Sequence, residues 1–140
     1  MSSSSSRRLI SRFEKELAPF SASLAAEFRR SAEAACDFLG PEEVSLWAED
    51  GLELARRSWR SWEAASEYFR ASPQVFALMD FPTLQRWAQQ GRDLVELSSS
   101  LAAAYFRASP GVLARLPVAQ IGDWVTLGRQ LYKGTWRSAS

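Results

Sequence analysis

VSLWAEDGLELARRS (44–58), LQRWAQQGRDLVELS (84–98) and IGDWVTLGRQLYKGT (121–135) are three copies of one pattern. Val44, Leu84 and Ile121 open the copies, and Trp47, Trp87 and Trp124 follow three residues later. Gly51, Gly91 and Gly128 come four residues after each Trp, then Leu54, Leu94 and Leu131. Within a copy the apolar or small positions fall at i, i+3, i+4, i+7, i+10 and i+11, which is one face of an α-helix and not a strand. Glycine costs roughly 1 kcal/mol inside a helix. A Gly kept in one column beside a Trp therefore implies a geometric need, a hollow that lets a neighbouring helix approach.

A second pattern repeats downstream. Residues 68–73 (YFRASP) return unchanged as 105–110, at an offset of 37, whereas the first two Trp helices are 40 apart. The difference places a three-residue insertion near Trp59-Arg60. Ser72-Pro73 and Ser109-Pro110 read as helix restarts: the Ser caps and the Pro occupies the first turn, where its missing N–H is no loss. A short helix is expected after each, carrying Val75, Phe76 and Met79 in one copy and Val112, Leu113 and Leu116 in the other. Asp80 with Pro82, and Gly40-Pro41-Glu42-Glu43, mark the starts of the second and first Trp helices. A shift of 77 lays Leu24 on Leu101, Phe28 on Tyr105, Arg30 on Arg107 and Leu39 on Leu116, so the N-terminal part is a worn copy in which Glu33 replaces the Pro.

Repeats of this length are stacked supersecondary units, each burying its apolar face on its neighbours. The expectation is an all-α, right-handed α-solenoid of about three units, with two to three helices in each. One domain spans 9–137, with units at about 9–40, 41–80 and 81–117 and a partial unit at 118–137. Residues 1–8, rich in Ser and Arg, read as a disordered tail.

Composition narrows the function. With 17 basic and 16 acidic residues there is no global attraction to nucleic acid or anionic lipid. Histidine is absent, which removes the commonest general base and metal ligand. The single cysteine, Cys36, excludes an intramolecular disulfide and a cysteine zinc cluster, and it reads as a core thiol. Glu63 and Glu67 share a helix face at a spacing that can serve a metal, but no matching pair stands elsewhere. Asp50 and Glu53, near Arg56, Arg57 and Arg60, read as a salt-bridged solvent face. Neither a catalytic constellation nor a phosphate loop is found, so no enzyme, cofactor, metal or small-molecule substrate is expected. Without an 18-residue apolar run or a signal peptide, a cytoplasmic setting is expected and no membrane span.

Trp47, Trp87 and Trp124 follow the core stripe. Trp59, Arg60 and Trp62 do not, and exposed Trp and Arg are typical hot-spot residues, so these three form the candidate partner-binding patch. Arg70 and Arg107 read as helix-ending cations that suit the C-terminal dipole, or, more sharply, as rungs of an Arg ladder for an acidic partner. The helix expected at 121–135 carries Ile121, Trp124, Val125 and Leu131 with few residues after it, so either that stripe folds back onto the preceding unit or it awaits a partner; self-association or a missing C-terminal region is expected.

Trp124-Val-Thr-Leu127-Gly128 followed by Leu131 resembles the opening of a tetratricopeptide repeat, although the period and the Ser-Pro differ. Trp87-Ala-Gln-Gln-Gly91, Leu94 and Tyr105-Phe-Arg-Ala-Ser-Pro110 more closely resemble the helical repeats of bacterial von Willebrand A domain proteins. Those are relatives of nitric-oxide-reductase activation proteins and Rubisco-activase adaptors, and the likeness covers roughly 24–137. The resemblance implies a partner-binding arm that works with a MoxR-type AAA+ ATPase; the A domain and its metal motif are absent from these residues. A non-enzymatic interaction or scaffold module is therefore expected. Its rivals are a phasin-like amphipathic coat on lipid or polymer granules and a helical-repeat nucleic-acid binder.

Overall fold

Ser21, Asp80 and Ser98 each hold extended backbone and accept from the first turn of the helix that follows. Asp80 takes the Thr83 N–H at 2.9 Å, and Pro82 sits in the same first turn. Gly40 N–H donates to the Glu43 carboxylate at 3.1 Å, just ahead of Pro41. Between such starts the computed structural model holds six helices: α1 (Ser4–Leu17), α2 (Ala22–Phe38), α3 (Pro41–Arg57), α4 (Glu63–Phe76), α5 (Phe81–Val95) and α6 (Ser99–Leu113). It describes residues 4–57, 62–117 and 120–121, and no strand occurs among them. No described helix is long and apolar enough to cross a membrane. The expected starts at Asp80 and Pro41 are where α5 and α3 begin. Helix α1 begins at Ser4, inside the stretch that composition reads as a tail.

The helices pair in sequence, α1 on α2, α3 on α4 and α5 on α6. The odd-numbered helices also touch in succession, α1 on α3 and α3 on α5, and so do the even-numbered, α2 on α4 and α4 on α6. The Trp helices α3 and α5 thus lie in the odd row, and the Tyr-Phe helices α4 and α6 in the even row.

The Ser-Pro expectation is corrected. Pro73 and Pro110 lie inside α4 and α6, and neither Ser72 nor Ser109 restarts a helix. Val75 and Phe76 end α4 itself, and Val112 and Leu113 end α6. The buried Ser72 hydroxyl donates to the Tyr68 carbonyl one turn back (2.5 Å) and accepts from the Trp47 indole N–H (2.9 Å). Ser109 repeats this with Tyr105 and Trp87, at 2.5 and 2.9 Å. The serine is kept because it satisfies a buried indole N–H, which would be costly to leave unpaired. Proline withholds the N–H that would meet the carbonyl four residues earlier. For Pro73 that carbonyl is Phe69 O, and the Ser31 hydroxyl of α2 supplies the donor at 2.5 Å.

The repeated glycine has an equally specific cause. A Cβ on Gly51 would stand 2.0 Å from Cζ of Phe69, and one on Gly91 would stand 1.9 Å from Cζ of Phe106. The hollow is filled by the tip of an aromatic ring from the paired helix. Phe28, Trp47, Tyr68 and Trp87 then follow one another through the interior at centroid distances of 5.7, 6.2 and 5.3 Å, the first and last pairs stacked and the middle pair tilted. Phe69 and Phe106 meet Trp47 and Trp87 edge-on at 5.2 and 4.9 Å, a favoured aromatic geometry. Trp47 and Trp87 are buried, as expected, while Trp124 and Gly128 lie outside the described residues. Cys36 is half-buried rather than a core thiol, and it lines a cavity of ≈650 Å³ between α1 and α2.

Candidate interaction surface

The expected patch in the middle of the chain is only partly described. Trp59 and Arg60 lie outside the described residues. Trp62 stands at the N-terminus of α4, exposed, and its side chain makes no capping hydrogen bond. Phe38, Leu46 and Leu97 are the other large apolar side chains left exposed among the described residues.

Arg70 and Arg107 are not helix-ending cations. They lie within α4 and α6, more than a turn before either helix ends. Both belong to an ion-pair ladder that crosses the even row. Arg30 reaches the Glu27 carboxylate at 2.9 Å, and Arg70 reaches it from the next helix, also at 2.9 Å. Arg70 holds Glu67 at 2.6 Å, and Arg107 reaches Glu67 from α6 and Glu63 at 3.1 Å. Glu27 and Glu67 are buried, with side chains 8% and 4% exposed, whereas those of Arg30, Arg70 and Arg107 are 74%, 61% and 58% exposed. Carboxylates thus form a lower layer and guanidiniums an outer one. The Glu27 hydrogen bond pushes the Arg70 pKa further up, and the Glu67 hydrogen bond does the same for Arg107. Glu63 and Glu67 are therefore engaged by arginine, and no cluster able to hold a metal occurs among the described residues.

Between the last two rungs lies a groove of ≈300 Å³ lined by Glu67, Arg70, Gln74, Arg107, Pro110 and Gly111, with Ala71 at its base. Among the described residues, Arg70 and Arg107 are the two expected binding residues that come together, and they do so here. Of the glutamates beneath them, the sequence marks Glu67 only as half of a carboxylate pair with Glu63, and Glu27 was missed. The shift of 40 that lays Arg30 on Arg70 also lays Glu27 on Glu67, and that coincidence is the signal.

The odd row carries a different pair. Asp50 of α3 meets Arg92 of α5 at 3.0 Å, and both are largely buried. This corrects the expected solvent face at Asp50. Burial pushes the Asp50 carboxyl up to about 6, against the pull of Arg92 and with help from Glu49 and Glu53. Glu53 and Arg57 do form the expected surface pair, at 2.9 Å. A groove of ≈440 Å³ over α1, α3 and α5 includes Asp50, Arg92 and the exposed Leu46.

No protein-family model, curated protein or solved structure matches this chain.

Proposed function

We propose that the chain is an α-solenoid of stacked helix pairs that works as a non-enzymatic protein-interaction or scaffold module. The observation that carries this reading is the Arg30–Arg70–Arg107 row. Repetition sets the same exposed side chain at the same place on three successive even helices, each held from below by a buried glutamate. A surface written once per unit suits an extended partner, as in other helical-repeat proteins. The von Willebrand A resemblance makes a MoxR-type AAA+ ATPase, or an A-domain protein coupled to one, the first partner to test. Exposed Trp62 and the adjoining Trp59-Arg60 segment are the second candidate contact, and the 121–135 segment a third, through self-association.

The test is affinity capture of the tagged chain from nuclease-treated lysate of its own organism, with mass spectrometry of the retained proteins. Recovery of an AAA+ ATPase or A-domain protein, reduced in Trp62→Ser or Arg107→Gln, supports the adaptor-arm reading. Recovery of granule or membrane proteins instead favours the coat. A coat should also gain helicity on adding lipid, whereas a preformed stack should not.

A further inference from the structure

Asp50 stands just before Gly51 and Arg92 just after Gly91, where α3 and α5 meet. Their contact at 3.0 Å and the exposed Arg57–Glu96 pair at 3.5 Å are the salt bridges between α3 and α5 among the described residues. The Asp50 side chain is only 17% exposed and that of Arg92 23%. The pairing is also incomplete. Arg92 gives Nη1 to Asp50 and Nη2 to Gln89, while its Nε–H is buried with no acceptor among the described residues. Such a pair recovers less than the hydration that both partners gave up.

The charges around Asp50 do not make good the difference. On α3 itself Glu49 and Glu53 repel its carboxylate, and Arg56 lies on the same groove wall. From α5 it is Arg92 that attracts it. Helix α1 brings Arg12 and Glu16, which lie 3.9 Å from each other. From α4 comes the Tyr68 phenol, which burial keeps protonated and which donates to the Trp47 carbonyl at 2.9 Å. Helix α2 adds no residue to the groove wall. Desolvation is therefore the largest effect, and it moves the carboxyl from 3.8 to about 6. The even row is tied differently: Glu27 and Glu67 are each held by two arginines.

Parting of α3 from α5 would return Asp50 to water and to its ordinary acidity. The charged form gains far more from this than the neutral form, so opening is linked to proton release. Its equilibrium constant should rise about tenfold per pH unit between about pH 4 and 6 and then level off, about a hundredfold in all. We propose that the α3–α5 junction is a proton-controlled joint: with a proton on Asp50 it stays closed, and with Asp50 charged it parts more often, widening the groove over α1, α3 and α5 while the even row holds.

Native-state hydrogen exchange of the full chain, followed peptide by peptide from about pH 4.5 to 7.5 and corrected for the intrinsic pH dependence of exchange, reads such local openings. Relative to α4 and α6, protection of α3 and α5 should fall about tenfold per pH unit up to about pH 6 and then level off. Asp50→Asn should flatten this dependence. Glu96→Gln, which removes the exposed salt bridge and leaves Asp50 in place, should keep it. A carbon-13 titration of the Asp50 carboxyl in the folded wild type should show a midpoint near 6. A midpoint near 4 overturns the proposal, as does an equal pH dependence in wild type and Asp50→Asn. Loss of protection spread evenly over all six helices also overturns it, because the proton would then act on global stability and not on a joint.

Discussion

At the scale of single residues, a repeated glycine and one carboxylate decide more than their size suggests. Gly51 and Gly91 sit under Phe69 and Phe106 so closely that even a methyl group overlaps a ring. Gly91→Ala should therefore destabilise the fold by about 1–3 kcal/mol despite the better helix propensity of Ala. Urea unfolding measures this, and shortening the ring with Phe106→Leu in the same chain should recover part of the loss. Asp50 is the second position. Its folded pKa lies near 6, above the ordinary carboxylate value, so the folded state binds the extra proton between about pH 4 and 6. The contribution of Asp50 to stability therefore falls as pH rises through that window and stays unfavourable above it. Asp50→Asn should remove this slope. The difference between wild-type and variant unfolding free energies across pH 4–8 isolates it from carboxylates such as Asp80, whose pKa the Thr83 hydrogen bonds hold low.

At the scale of elements, the first two Trp helices were legible because their period, their glycines and their starts all agree. Asp80 and Pro41 mark helix starts in sequence and in structure. The Ser-Pro pair misled because local propensity and tertiary packing oppose each other there. Serine before proline resembles a capped start, yet its hydroxyl answers an indole from another helix, which no local pattern records. The Glu27 and Glu67 layer stayed hidden for a similar reason. A glutamate is read as solvated by default, and only a cross-helix arginine makes its burial tolerable. One consequence is testable. Ser31 supplies the donor that Pro73 withholds from the Phe69 carbonyl. Ser31→Ala should cost about 1–3 kcal/mol. In a Pro73→Ala chain the restored helical N–H can take over, so the same change should cost clearly less. A double-mutant cycle by urea denaturation reads this coupling directly.

At the scale of the whole molecule, one rung recurs. A Trp helix lays its indole on the Ser of its partner, its Gly under the partner's Phe, and its ring against the Tyr or Phe of the preceding pair. The exposed consequence of that repetition is a row of arginines at the pitch of the even helices. The candidate surface was legible in part: Arg70 and Arg107 stand out as repeated residues, but what holds them does not. The central claim is that the repeated Trp and Ser form equivalent buried rungs within continuous helices, and indole N–H hydrogen exchange tests it most directly. The account predicts that the Trp47 and Trp87 indole N–H groups are both strongly protected, that Ser72→Ala lowers protection of Trp47 well before that of Trp87, and that Ser109→Ala does the reverse. Fast exchange at both indoles in the folded wild type, or indifference of each indole to its own serine, would contradict it.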